Sequence, residues 1–239
     1  MQIHGLNKTT LLDYPGHVAC TVFTGGCNFC CPFCHNADLV LNPASQPPIP
    51  EEDFFSFLKK RSGILEGVCI TGGEPLLQKD LADFIRRLRS FGLKIKLDTN
   101  GYLPDKLEAL LQEGLLDYVA MDIKSSRAGY PAAAGLTPDT FDYGHIAKSI
   151  SLLMHSGISY EFRTTVVAGL HTAEDFDDIA EMISGCTHYY LQSYEEKDSI
   201  LLYRTNESAT KLSSFSPEEL RAVAERLNEA GIPTSLRGI

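Results

Sequence analysis

Short apolar runs rich in β-branched residues alternate with segments whose apolar residues recur every three to four positions. Residues 17–24 (HVACTVFT) read as a buried strand, and residues 51–61 carry Phe54, Phe55 and Leu58 on one helical face. A short strand at 68–71 precedes residues 80–90, where Leu81, Phe84, Ile85 and Leu88 form a helical stripe. The alternation continues with a strand at 93–98, a helix at 104–113, a strand at 116–123 and a helix at 139–155. A strand at 160–167, a helix at 172–183 and a strand at 188–192 follow. The last helix, 217–229, has Ser216 as N-cap with Glu219 three residues on, and a short strand at 232–236 comes after it.

Strand-then-helix units repeated about six times predict an α/β fold with a parallel sheet and outer helices, because parallel strands need crossover connections. An open doubly wound sheet and a full or partial barrel both satisfy this pattern. In each, the site belongs at the carboxyl ends of the strands, where the loops converge. The Pro-rich stretch 42–50 reads as a connection, and the Gly, Ala and Pro-rich stretch 125–138 as a long, mobile loop. No domain boundary is visible, so residues 1–239 are expected to form a single domain, with a core over 17–195 and a C-terminal helix and strand over 216–237.

The 239 residues carry 21 basic and 31 acidic side chains, a net charge of -10. Most of that excess falls after residue 170, the wrong sign for a phosphate-backbone binder, so neither nucleic acid nor an anionic membrane is expected as partner. The start, Met1-Gln2-Ile3-His4-Gly5, lacks a basic stretch before an apolar run, and no long apolar span occurs. A cytoplasmic location is expected. Of the seven cysteines, Cys20, Cys27, Cys30, Cys31 and Cys34 crowd together, while Cys69 and Cys186 stand alone. Such crowding reads as metal-binding or catalytic rather than as a disulfide framework.

The segment Thr24-Gly25-Gly26-Cys27-Asn28-Phe29-Cys30-Cys31-Pro32-Phe33-Cys34-His35-Asn36 follows the first predicted strand. Thiolates are soft ligands that favour zinc or iron–sulfur clusters. Two Cys-x2-Cys pairs would offer four thiolates to a zinc ion, though structural zinc sites usually space their pairs further apart. Cys27-x3-Cys31-x2-Cys34 instead offers three ligands in one compact loop, enough to hold three irons of a cube and leave the fourth open. Core cysteines without a ligand are the third reading.

With Phe33 before its last cysteine, Cys27-x3-Cys31-x2-Cys34 resembles the signature of the radical S-adenosylmethionine enzymes. Thr71-Gly72-Gly73-Glu74-Pro75, after the second predicted strand, is similar to that family's glycine-glycine-glutamate motif. The resemblance implies a partial (β/α)6 TIM-like barrel, a 4Fe-4S cluster on Cys27, Cys31 and Cys34, and S-adenosylmethionine as cofactor. Gly72, Gly73 and Glu74 would then line the methionine end of the cofactor, and Phe33, Cys34 and His35 would border it. Asp98-Thr99-Asn100-Gly101 and Met121-Asp122-Ile123-Lys124 resemble segments of glycyl-radical activating enzymes. There Asp98, Thr99, Met121 and Asp122 would surround a monovalent cation beside the cofactor carboxylate, hard oxygens suiting a hard ion. Lys124 reads equally as an ordinary polar residue. Arg163 would reach the same carboxylate or pair with Glu161, and Gln192 and Tyr194 would meet the ribose or adenine. His145, His155 and His171 read as surface or helix-packing residues.

From Leu11-Leu12-Asp13-Tyr14-Pro15-Gly16 to the Leu236-Arg237-Gly238 tail, the chain is most similar to activating proteins of anaerobic ribonucleoside-triphosphate reductase. That likeness implies reductive cleavage of S-adenosylmethionine and hydrogen abstraction from a glycine of the partner. Reduced flavodoxin or ferredoxin would donate the electron. Cys30 departs from the family pattern. The competing readings are a small-molecule radical enzyme such as 7-carboxy-7-deazaguanine synthase, an activator of another glycyl-radical enzyme, and a zinc-stabilised interaction module.

Overall fold

The computed structural model describes residues 1–239 except Gln46 and Glu207; Gln46, inside the connection expected at 42–50, lies outside the described residues. In chain order the elements are β1 (Ile3–Thr10), β2 (Ala19–Thr24), α1 (Ala37–Leu41), α2 (Glu51–Lys60), β3 (Gly67–Gly72), α3 (Leu81–Arg89) and β4 (Lys94–Thr99). Then follow α4 (Pro104–Gln112), β5 (Tyr118–Asp122), α5 (Tyr130–Ala134), α6 (Tyr143–Met154), β6 (Ser159–Val166), α7 (Asp175–Met182), β7 (Tyr189–Ser193), α8 (Leu201–Thr205), α9 (Pro217–Glu229) and β8 (Thr234–Arg237). Within each unit the strands pair in the order in which they occur in the chain. This is the α/β class with parallel strands that the sequence predicts.

The chain forms two compact units. The first comprises Met1–Asn28, Asp38–Thr99 and Leu103–Ala120. Within it β2, β3 and β4 pair in parallel, and Thr24 lies opposite Gly72 where β2 and β3 end. Val22, Val68, Ile70, Ile95 and Leu97 are wholly buried, as expected of strands covered on both faces. Helix α3 packs on β4 through Phe84, Ile85 and Leu88, each at most 2% exposed. Burial of side chains of this size stabilises by about 1.5–3 kcal/mol each. Strand β1 was not visible in the sequence. It pairs antiparallel with β2, and in IHGLNKTT only Ile3 is fully buried, so its pairing rests on backbone hydrogen bonds with little apolar patterning.

The second unit comprises Phe29–Ala37, Asn100–Tyr102 and Met121–Ile239. Here β6, β7 and β8 pair in parallel, with Gln192 opposite Arg237. Helix α9 packs on β7, β8 and α7 through Leu220, Val223 and Leu227. Its N-terminus carries the predicted capping box: Glu219 N–H donates to Ser216 Oγ at 3.2 Å, and Ser216 N–H donates to Glu219 Oε2 at 2.8 Å. Helix α6 starts at Tyr143 rather than at 139, because Asp142 caps it by accepting the Gly144 N–H at 2.8 Å. Helix α7 starts late for a similar reason, the Thr172 N–H donating to Asp175 Oδ2 at 2.8 Å in a turn.

The stretch 125–138 is not the plain loop its composition suggests. It contains α5, with Pro131 in the first turn and Gly135 at φ 67° as the left-handed C-cap. Tyr130, Ala133 and Ala134 are wholly buried. Among the described residues no helix is long and apolar enough to cross a membrane.

Candidate active site

In the first unit, the motif residues gather where β2, β3 and β4 end. The segment after β2 is held by backbone bonds: Gly26 N–H donates to Leu39 O at 2.7 Å, Gly73 N–H to Thr24 O at 2.9 Å, and Glu74 N–H to Gly26 O at 2.9 Å. Both motif glycines are required by this close approach. A Cβ on Gly73 would sit 2.0 Å from the Gly26 carbonyl oxygen. Gly72 has φ 118°, and a Cβ there would lie 2.4 Å from Thr24 backbone atoms. The pair thus splices the end of β3 to the segment that leads into Cys27.

Glu74 is wholly buried. Its Oε1 accepts the Leu76 N–H at 3.0 Å and the Thr99 hydroxyl at 2.9 Å, which fixes the carboxylate. Asp98 and Lys96, two residues apart on β4, share a face of the strand. The Lys96 ammonium donates to Asp98 Oδ1, and Lys96 is 2% exposed.

In the second unit, Cys31 and Cys34 lie on one turn, Cys34 N–H donating to Cys31 O at 3.0 Å. Cys31 is buried, Cys34 half-buried and Cys30 exposed, and none of the seven cysteines is joined in a disulfide; Cys27, in the first unit, is half-buried. The turn is anchored through peptide groups. Cys30 N–H donates to Ala134 O at 2.9 Å, Leu201 N–H to Cys34 O at 3.0 Å, and Leu202 N–H to Pro32 O at 2.9 Å. Burial pushes the Cys34 thiol up, against the pull of the Asn36 backbone and the Lys124 ammonium. Phe33 is buried, and the Lys124 ammonium stands 5.9 Å from its ring centroid. His35 is held through its side chain: Nε2 lies 3.0 Å from Glu195 O, and the ring is 5.8 Å from buried Tyr194. Burial and the nearby Lys197 hold its imidazole below the ordinary range.

Asp122, at the end of β5, accepts from Lys124 Nζ and from Arg163 Nε, each at 2.9 Å. Burial opposes its charged form, but the two cations outweigh it and keep the carboxyl well below the usual range. Lys124 is likewise held charged: burial works against the ammonium and Asp122 prevails. Arg163 therefore pairs with Asp122, its Nη1 standing 4.0 Å from Glu161. Glu161, 1% exposed, is met by both arms of the Arg237 fork at 2.8 Å, and that guanidinium lies 3.5 Å over the Tyr190 ring. Met121 packs beneath Gly101, where a Cβ would meet Met121 Cε at 2.1 Å. Gln192 is half-buried at the end of β7.

Two contributors escaped the sequence reading. Lys96 is one, since the alternation Lys94-Ile95-Lys96-Leu97 reads as a strand with a wet lysine face. His171 is the other: it is 3% exposed, and its Nε2 lies 2.8 Å from the Lys124 carbonyl oxygen. A lone histidine near a turn carries no signal for that contact. Among the described residues, no group of three or more His, Cys, Asp or Glu side chains is gathered around one point as for a metal ion.

Comparison with known proteins supplies the family. The model of the radical SAM superfamily matches residues 21–184. A protein of Methanocaldococcus jannaschii, provisionally named a glycyl-radical enzyme activating enzyme, is 32% identical over 93% of this chain and 90% of its own length. The pyruvate formate-lyase-activating enzyme of Clostridium pasteurianum is 33% identical over 85% of this chain and 82% of its own. Shorter matches include a 7-carboxy-7-deazaguanine synthase of Hyperthermus butylicus, 37% identical over 38% of each chain, and GTP 3',8-cyclases. The crystal structure of a radical SAM methyltransferase from Sphaerobacter thermophilus shares the fold, with a TM-score of 0.72 at 16% identity over 94% of this chain and 67% of that one. With this superfamily model covering most of its length and two relatives matching it nearly end to end, the chain belongs to the radical SAM superfamily and is an enzyme of that kind.

Proposed function

We propose that this enzyme activates a glycyl-radical enzyme, and that its target is an anaerobic ribonucleoside-triphosphate reductase. The observation that carries the reading is extent: similarity to two proteins named as activating enzymes runs along 93% and 85% of the chain. The match to a 7-carboxy-7-deazaguanine synthase covers 38%. The small-molecule reading therefore rests on a shorter shared stretch. The reductase as target rests on the likeness of the motifs and tail.

The superfamily implies a 4Fe-4S cluster and S-adenosylmethionine. The donor chemistry fits, since the loop offers soft thiols outside any disulfide, with the surplus Cys30 turned to solvent. When bound, the cluster and cofactor supply the reductive carbon–sulfur cleavage that makes hydrogen abstraction possible.

The chain's own residues would bind and orient. Cys27, Cys31 and Cys34 would hold three irons. Gly72, Gly73 and Glu74 would receive the methionine end, with Glu74 fixed for that task by Thr99 and the Leu76 amide. Lys124 and Arg163, charged and clamped on Asp122, would face the carboxylate, as would Asp98 from the Asp98-Thr99-Asn100-Gly101 segment. Phe33, His35, Gln192 and Tyr194 would border the sulfonium, ribose and adenine, and the buried rings of Phe33 and Tyr194 would exclude water. Reduced flavodoxin or ferredoxin would serve as electron donor.

The test is anaerobic. The protein is reconstituted with iron and sulfide, supplied with S-adenosylmethionine and dithionite, and mixed with candidate reductases. A glycyl-radical doublet in the paramagnetic resonance spectrum is expected, with 5'-deoxyadenosine released. Cleavage without a doublet on any glycyl-radical enzyme would reject the activating role, and zinc in place of iron would reject the radical chemistry altogether.

A further inference from the structure

The motif carboxylates Asp98 and Asp122 are those that a monovalent cation would need, yet each already holds a cation of the chain. In the first unit the Lys96 ammonium donates to Asp98 Oδ1, lies 3.8 Å from Cys69 Sγ, and stands 5.8 Å from the Tyr118 ring centroid. An ammonium has three donors and no acceptor, and these neighbours engage it with a carboxylate, a sulfur and an aromatic face. At 2% exposure it is costly to bury unless paired, so the Asp98 contact is the condition of its presence. The Thr99 hydroxyl donates its proton to Glu74 at 2.9 Å. In the second unit Asp122 is clamped by Lys124 and Arg163 at 2.9 Å each, and the Met121 side chain fills the space under Gly101. Each of the two carboxylates is thus already partnered by cations of the chain, and neither suits a further monovalent cation.

We infer that Lys96 is a built-in counter-cation for Asp98, and that this protein binds no exogenous monovalent cation there. An ammonium carries the charge of a potassium ion at about its size. A second cation placed beside it would meet like-charge repulsion across a few ångströms of poorly screened interior. Lys96 is a positioning residue in this account: it neutralises Asp98 and fixes the orientation of its carboxylate. The inference rests on the reading of Asp98 as part of the cofactor site.

The test compares wild type with Lys96→Met, reconstituted anaerobically, in potassium chloride and in choline chloride at equal ionic strength. Two signals are followed: thallium-205 resonance broadening as a probe of monovalent-cation binding, and 5'-deoxyadenosine release. Wild type is expected to show no saturable, potassium-competed thallium binding and equal cleavage in both salts. Lys96→Met is expected to acquire such binding and about a tenfold potassium stimulation of cleavage. Saturable binding to wild type, or its stimulation by potassium, would overturn the inference. So would a folded Lys96→Met that responds to neither. If Lys96→Met does not fold, Lys96→Gln and the wild-type thallium measurement still decide. Absence of cleavage in both salts would count against the functional reading alone, because thallium binding is measured without turnover.

Discussion

The imidazole of His171 bridges two backbone groups, accepting the Val167 N–H on Nδ1 at 3.0 Å and donating from Nε2 to the Lys124 carbonyl oxygen at 2.8 Å. This arrangement suits the neutral ring, with its proton on Nε2. It also ties the turn after β6 to the residue that clamps Asp122, although the two lie far apart in sequence.

Burial holds the His171 pKa below its ordinary 6.5, outweighing the backbone carbonyls that favour the proton. Above that pH, folded and unfolded chains both carry a neutral ring and the stabilisation is complete. As pH falls below it, the unfolded chain takes a proton that the folded one resists, so stability is lost on the acid side. The melting temperature of wild type should therefore drop between about pH 7 and 5 more steeply than that of His171→Phe. At neutral pH the variant should itself be weaker, by about 1–3 kcal/mol for each backbone group left unpaired. Parallel pH profiles for the two proteins would refute this.

Arg237→Ala removes the fork from buried Glu161 and leaves that carboxylate to Arg163, whose Nη1 stands 4.0 Å away. Stability should fall by about 1–3 kcal/mol. Arg237→Lys should recover only part of it, because an ammonium cannot bond both carboxylate oxygens in the fork geometry or stack on Tyr190 as a plane. Urea denaturation of the three proteins measures the order; equal midpoints for lysine and arginine would reject the bidentate role.

Gly73→Ala should cost about 1–3 kcal/mol through overpacking, since the added methyl group meets the backbone oxygen of Gly26 rather than a yielding side chain. The shift must pass into the segment before Cys27, so iron incorporation should fall alongside stability. A variant as stable as wild type, with full iron content, would show that the two segments are not spliced as described.

Cys27→Ala, Cys31→Ala and Cys34→Ala should each abolish cleavage of S-adenosylmethionine, whereas Cys30→Ala should retain it. Iron and sulfide analysis beside the cleavage assay separates lost ligation from misfolding. Loss of activity in Cys30→Ala would reassign the third ligand.

The parallel core was legible because its elements carry full apolar periods. Helices α2, α3 and α9 lie within a residue or two of the segments marked by Phe54, Phe84 and Leu220, and the Ser216 cap is where its motif puts it. Strand β1 and helix α5 were not, one being held by backbone pairing and the other by five residues and a glycine cap. The motif residues at the strand ends could be read from type and order. Their partners could not: that Lys96 is buried while Lys94 is exposed, or that Arg163 meets Asp122 while Arg237 takes Glu161, depends on strands far apart in the chain.

The cysteine turn hangs on backbone links, the Cys30 N–H donating to Ala134 O and the Leu202 and Leu201 N–H groups donating to Pro32 O and Cys34 O, and a Cβ on Gly135 would come 2.0 Å from the Cys30 oxygen. None of these supports uses a sulfur. The turn is therefore a socket whose contacts can be pulled singly while its wiring stays in place, which makes its thiols exchangeable parts for anyone wishing to retune what it grips.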